Sequence, residues 1–219
     1  KGMETDAANL DLGFDPKTID CVVLSHAHID HSGLLPYIYK LGFRGDIIST
    51  PATRDLCAIM LQDTAFIQAQ DIRWYNKKMD RLHKPKVQPL YDNNHVERCM
   101  QHFVTVGYGR RYRLFDGVYL TFTNSGHMLG SAVCSFEIEE EGEVKRIAYT
   151  GDIGRAKSHI LCSPQPFPQC DYLICESTYG DRLHDDVLVS EEELLGVVDS
   201  TCVYKKGKLL IPSFSVGRT

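Results

Sequence analysis

The chain has 219 residues, a formal net charge of −5, 24% charged and 43% hydrophobic residues, the balance of a globular protein rather than a disordered one. No run approaches the roughly 18 consecutive apolar residues of a membrane span, and the opening KGMETDAANLDLG holds no apolar secretory core. The negative balance excludes global attraction to nucleic acid, so a polyanionic substrate must be met by local positive charge or bound metal.

In chain order, the first element is the apolar run CVVL (Cys21 to Leu24), which reads as a buried strand ending in the loop SHAHIDHSG, Ser25 to Gly33. That loop places His26, His28, Asp30 and His31 within six residues. Three imidazoles and a carboxylate suit a borderline metal such as zinc. Four donors from one segment exceed what a single catalytic zinc takes while keeping a position open for water, so the crowding points to two metals side by side. SGLLPYIYKLGF (Ser32 to Phe43) has helical spacing with Gly42 as its stop, and DIIST is a short strand. A long amphipathic helix starts at Pro51 with Thr50 as N-cap and extends to Met79. HKPKVQPL is a linker, and DNNHVERCMQHF is a further helix opened by an Asp/Asn cap.

The pattern then changes to period two. VTVGY, RYRLF, VYLTFTNS, AVCSFEIE and VKRIAYT are expected as antiparallel strands. DYLICE is an apolar strand, a helix begins near Ser190 with Glu193 completing a capping box, and GKLLIPSF is a last strand. The order is that of an α/β protein, a layered sheet with helices outside. Two strand ends add donors: His127 in GHMLGS and Asp152 in GDIGR, each beside glycines that let the backbone bend. Three strand-end loops thus aim ligands at one sheet edge. The eight cysteines, Cys21, Cys57, Cys99, Cys134, Cys162, Cys170, Cys175 and Cys202, include no CxxC pair. Those in apolar runs, such as Cys21 and Cys175, are expected as reduced, buried thiols of a cytoplasmic protein. Two basic sets, Arg110, Arg111 and Arg113, and Lys77, Lys78, Arg81, Lys84 and Lys86, are read first as solvated faces and only second as a nucleic-acid track.

Through SHAHIDHSG, GHMLGS and YTGDIGR the chain resembles the metallo-β-lactamase fold hydrolases. Through HSGLLPYIYKLGFRGDIISTPATRDL, CESTYGDR and IPSFSVGRT it resembles, more narrowly, their β-CASP RNA-processing branch of cleavage-factor-like ribonucleases. The resemblance implies a metallo-β-lactamase αββα sandwich, N-terminally incomplete, over residues 1–180 and the start of a β-CASP cap domain over 181–219. It implies that His26, His28 and His127 hold one zinc, that Asp30 and His31 hold a second, and that Asp152 bridges the two. Glu176 would orient a catalytic histidine without binding metal, and Ser213 and Arg218 would meet substrate phosphate. Asp30, Asp152 and Glu176 are the carboxylates expected to act in catalysis.

The implied activity is zinc-dependent hydrolysis of RNA phosphodiester bonds by a hydroxide shared between two metals, endo- or exonucleolytic. The implied partner is single-stranded RNA, with room for a homodimer and no membrane. The family's two remaining histidines fall beyond Thr219, so a fragment with an incomplete second zinc site is expected. A hydrolase of the same fold acting on DNA or on a small ester or thioester, and a non-catalytic RNA-binding scaffold, are the competing readings.

Overall fold

Two sheets face each other across the main core, and the order of their strands decides where the ligand-bearing loops meet. A computed structural model describes residues 9–156, 160–182, 191–213 and 216. The chain divides into two units, Lys1–Cys175 and Glu176–Thr219. In the first unit, β1 (Cys21–Val23), β2 (Asp46–Ser49) and β3 (Phe103–Thr105) form a parallel sheet in that order. The second sheet is an antiparallel meander of β4 (Tyr112–Phe115), β5 (Val118–Asn124), β6 (Ala132–Glu140) and β7 (Glu143–Tyr149), with β8 (Tyr172–Ile174) added parallel to β7.

Alternation decides which side chains fill the space between the sheets. Ile48 of β2, Leu120 and Phe122 of β5, Ala132 and Cys134 of β6, and Val106 just past β3 form one buried cluster. Ile47, the neighbour of Ile48 and so on the opposite face, is also fully buried. The helices of this unit cover that face: α1 (Ile29–Ser32), α2 (Leu35–Lys40), α3 (Pro51–Arg81) and α4 (Asn93–Met100). They bury Leu35, Ile38, Cys57, Leu61, Ala65, Val96 and Cys99. Each large apolar side chain so buried contributes about 1.5–3 kcal/mol. The Thr50 hydroxyl accepts from the Thr53 N–H and Pro51 opens α3, as the sequence predicts. Asp92 and His95 close a capping box on α4.

Four expectations are corrected. The helix expected from Ser32 begins earlier, inside the histidine-rich segment, as α1, and breaks before α2. The Ser32 N–H donates to the His28 carbonyl at 2.8 Å, and the Ser32 hydroxyl donates to the Ala27 and His28 carbonyls, which winds the turn there. VTVGY supplies β3, which is parallel to β2 rather than part of the antiparallel set. The α3 and α4 crossover returns the chain to the same end of the sheet, and a crossover of this kind produces a parallel pairing. No strand forms over residues 207–213, where Leu210 and Ile211 stand exposed. Finally, Cys57, Cys99 and Cys134 are buried, but Cys162, Cys175 and Cys202 are exposed. Cys175 follows β8, a strand at the sheet edge whose Tyr172, Leu173 and Ile174 are all exposed.

The second unit contains α5 (Glu191–Val198), which runs into a π turn, Asp199–Tyr204. Ser190, where the sequence starts this helix, lies outside the described residues.

Candidate metal centre

The C-terminal end of β1 opens onto the site. Leu24, whose N–H donates to the Ile48 carbonyl, and Ser25 follow the strand, and His26 comes next with its side chain fully buried. His28 is the N-cap of α1, and Asp30 and His31 ride on that helix. From the facing sheet, β5 ends at Asn124 and turns through Gly126 to His127, and β7 ends at Tyr149 and turns through Gly151 to Asp152. Ligand atoms of His26, His28, His127 and Asp152 all lie within 4.8 Å of one another.

The spacing fits a metal. Four donors at the 2.0–2.1 Å bond length of zinc stand about 3.3 Å apart when tetrahedral. His127 Nε2 lies 3.0 Å from His28 Nδ1 and 3.3 Å from Asp152 Oδ2. His26 Nε2 is 3.7 Å from the same carboxylate oxygen. That nitrogen is buried and makes no hydrogen bond, while its ring partner Nδ1 lies 3.1 Å from the Ser25 hydroxyl. A buried ring nitrogen without a partner is costly, and one aimed at three other donors is relieved by a cation. The other carboxylate oxygen, Asp152 Oδ1, faces His31 Nε2 at 3.5 Å. The carboxylate therefore has one oxygen toward the three-histidine cluster and one toward His31.

The electrostatics keep the imidazoles in the form that binds metal. Burial, then the neighbouring rings of His31, His127 and His28, push His26 down to about 2. Burial and His127 also lower His28, against the opposing pull of Asp30 and Asp152. Neutral imidazole is the ligating species, so no proton has to be displaced from either ring at neutral pH.

Hydroxyl side chains hold the loops, and of these the sequence singles out Thr50 alone, as a helix cap. The Ser131 hydroxyl accepts from the N–H groups of His127 and Met128. Ser125 donates to the Asp152 carbonyl and lies 2.9 Å from the Ser131 hydroxyl, tying the two loops of the antiparallel sheet to each other. Thr50 and Thr53, at the start of α3, both donate to the Gly130 carbonyl, at 2.6 and 2.9 Å. Gly130 has φ +84°, and a Cβ there would stand 2.5 Å from the Thr53 nitrogen, so the turn admits no larger residue without displacing α3. The signals were present as S-G-H-M-L-G-S and T-P-A-T, but their meaning depends on contacts about 80 residues apart. A cavity of about 410 Å³ flanks the same turn, lined by Thr50, Tyr108, Met128, Leu129 and Cys162 among others.

The remaining candidates are not among those four donors. Asp30 is 78% exposed at its side chain, with Oδ2 3.8 Å from His31 Nε2, on the open rim of the cluster. Glu176 is half-buried and belongs to the second unit, as does the exposed Ser213; Arg218 lies outside the described residues. Of the basic residues, Arg111 pairs with Glu137 and Glu139, and Arg113 pairs with Asp116.

With this geometry in place, similarity to known proteins acquires a physical meaning. Residues 8–169 match the family described as metallo-beta-lactamase superfamily domain. Ribonuclease TTHA0252 of Thermus thermophilus is 34% identical over 218 residues, which cover 100% of this chain and 45% of that protein. The transcription termination factor FttA of Methanothermobacter thermautotrophicus is 34% identical over 210 residues, 94% of this chain and 30% of its own. FttA of Thermococcus kodakarensis is 34% identical over 220 residues, 97% of this chain and 31% of its own. The chain spans less than half the length of these relatives.

Proposed function

Since the chain belongs to the metallo-beta-lactamase superfamily, in the β-CASP branch of its ribonuclease and termination-factor relatives, we propose that it carries the metal-binding half of a zinc-dependent RNA phosphodiester hydrolase. The observation that supports this reading best is the meeting of His26, His28, His127 and Asp152 donor atoms within 4.8 Å of one another, with the buried His26 Nε2 making no hydrogen bond. The name of one relative, a ribonuclease, supplies the substrate class, RNA. The metal centre belongs with a hydrolase, and no helix among the described residues is long and apolar enough to cross a membrane.

In this proposal His26, His28 and His127 hold one zinc. Asp30 and His31 would hold a second, with Asp152, whose carboxylate faces both His26 and His31, helping to hold both. When bound, the pair of ions supplies a nucleophile at neutral pH and neutralises charge on the scissile phosphate. The protein residues do the positioning. Ser25, against His26 Nδ1, holds the ring with Nε2 inward, and Ser131 fixes the backbone of His127. Asp152 accepts charge from both sides, and its loop is tied down by Ser125. Residues 181–219 are the opening of the β-CASP cap, and Glu176, before it, orients a catalytic histidine from a part of the protein that the relatives possess beyond this match. The setting is cytoplasmic, and the substrate single-stranded RNA.

The test is metal analysis of the purified protein, followed by cleavage of single-stranded RNA and of DNA of the same sequence after loading with zinc. Zinc bound by this chain at nearer one than two ions, with RNA cut in preference to DNA by the complete protein, is the expected result. Failure to retain zinc, or equal cutting of both polymers, would overturn the metal or the substrate assignment respectively.

A further inference from the structure

The last third of α3 and the segment after it carry charge out of keeping with the rest of the chain. Residues 72–86, IRWYNKKMDRLHKPK, contain Arg73, Lys77, Lys78, Arg81, Lys84 and Lys86 against the single acid Asp80. This is a net +5 in a chain whose total is −5, which leaves −10 for everything else. Helical spacing puts Trp74, Lys77, Lys78 and Arg81 on one face, and all four are exposed, while Met79 is buried and Ile72 and Asn76 are half-buried behind them. Trp74, the chain's only tryptophan, is 71% exposed. The Lys77 ammonium lies 5.2 Å from its ring centroid. The following segment is folded back on the helix: the Val87 N–H donates to Asn76 Oδ1 and Asn76 Nδ2 donates to the Val87 carbonyl, both at 2.9 Å. Lys84 and Lys86 are thereby kept beside the helical cations, and Lys86 neutralises Asp80 at 2.9 Å.

We propose that this face is a holding site for single-stranded RNA, with phosphates on Lys77, Lys78, Arg81 and Lys84 and a base stacked on Trp74. The assignment rests on the RNA-hydrolase reading only for the identity of the polyanion; charge and ring are properties of the surface itself. A cationic helix alone suits any polyanion. The large aromatic ring left in water among the cations selects one with exposed flat faces, which a single strand offers and a duplex hides. The position supports a tethering role. Thr50 and Thr53, at the start of α3, hold the Gly130 turn of the metal centre, and Trp74 lies about 35 Å further along the helix at 1.5 Å per residue.

Because Trp74 is alone, its fluorescence reports on this site and no other. The zinc-loaded 219-residue chain is titrated with an oligouridylate of about 15 nucleotides, with heparin, and with phosphatidylserine vesicles. The expected result is saturable quenching by RNA and none by heparin or vesicles. Lys77→Glu/Lys78→Glu should weaken RNA binding at least about tenfold and reduce the slope of log affinity against log salt by about 0.7 per lysine. Trp74→Leu, followed by anisotropy of labelled RNA, should weaken binding about tenfold through lost stacking. Circular dichroism and zinc content establish that the variants are folded. Equal quenching by heparin or by vesicles, an unchanged salt slope, or absence of quenching overturns the proposal. Cleavage is scored separately, in the complete protein: RNA that quenches Trp74 here but is never cut there sinks the hydrolase reading alone, and RNA that is cut there without quenching Trp74 here sinks this site alone.

Discussion

The two sheets supply one site by different means. The parallel sheet delivers His26, His28 and His31 from a single strand end and one turn of helix, α1, so their mutual placement is set by local geometry. The antiparallel sheet delivers one ligand from each of two loops, His127 after β5 and Asp152 after β7. Those loops hold their shape through hydroxyls from elsewhere, Ser125, Ser131, Thr50 and Thr53. The first half of the site is fixed by spacing along the chain, and the second by tertiary structure. Damage to the second half should therefore spread further than damage to the first.

The largest effects are expected at the antiparallel ligands themselves. His127→Ala removes an imidazole 3.0 Å from His28 Nδ1 and 3.3 Å from Asp152 Oδ2. In the complete protein, RNA hydrolysis should fall by several orders of magnitude with zinc lost and the far-ultraviolet spectrum retained. Asp152→Asn removes the negative charge that faces both His26 and His31 and should release zinc and abolish cleavage together. Glu176→Gln, in a residue proposed to act through another group, should keep most of its zinc and slow cleavage about 10–100-fold. Elemental analysis beside a cleavage assay decides the matter, because equal metal loss at Asp152 and Glu176 would make Glu176 a ligand.

Legibility followed the same division. SHAHIDHSG announced four donors because metal-binding residue types were packed into a few positions, and Thr50-Pro51 and Asp92 announced helix starts through local caps. The His127 and Asp152 ends could be found because apolar strands ran directly into glycine-flanked donors. Thr53 and Ser131 could not be found, since each carries meaning only through a partner on another element. The direction of β3 was missed for a related reason: five residues of alternating pattern do not say which way their neighbour runs, and that depends on the crossover through α3 and α4. The strand expected in GKLLIPSF shows the limit of composition, for Leu210 and Ile211 are apolar yet exposed.

An intermediate effect is expected at Ser131, which tests whether the loops do depend on their hydroxyls. Ser131→Ala leaves the His127 and Met128 N–H groups without their acceptor, at a cost of about 1–3 kcal/mol. Zinc affinity should drop about 10–100-fold, as for other groups that orient a ligand. Competition with a chromophoric chelator measures it. Ser32→Ala, in the parallel half, removes donations to the Ala27 and His28 carbonyls and the hydroxyl's interaction with Cys57, none of them to a ligand loop of the antiparallel sheet, and should weaken zinc less. If the two variants weakened zinc equally, the contrast between the halves would fail.

A smaller effect concerns the metal-free chain and acid. His26 is held down to about 2 by burial and by its neighbouring imidazoles, against about 6.5 in an unfolded chain. Below about pH 6.5 the unfolded state therefore binds a proton that the folded state refuses. Stability rises with pH across the interval from about 2 to 6.5 and falls as acid is added within it. The urea midpoint of the zinc-free chain should be lower at about pH 5 than at about pH 7.5. His26→Asn, with no group to titrate there, should flatten that part of the dependence. A midpoint indifferent to acid in the unsubstituted chain would show that the parallel half is not assembled around a neutral, buried His26 before metal arrives.

The smallest effect lies away from the ligands, at the helix that leads into β3. Asp92 caps α4, accepting from the His95 N–H at 3.0 Å, with His95 Nδ1 at 2.6 Å from the same carboxylate oxygen. The hydrogen bond from the His95 backbone, with help from its ring, holds the Asp92 carboxyl below the usual range. Asp92→Ala should cost about 1 kcal/mol of stability, and Asp92→Asn less, because an amide oxygen can still accept from His95. The sign in pH is the ordinary one for a lowered carboxylate: the contribution is complete above about 3.9 and is lost as pH falls through the folded value. The difference between Asp92→Ala and the unsubstituted chain should therefore narrow in acid. Because α4 feeds only β3, and β3 carries no ligand, zinc content should not change. If this exposed cap did lower zinc content, the parallel half would owe its ligand geometry to the whole sheet rather than to the β1 end and α1, and the two halves would be fixed in the same way after all.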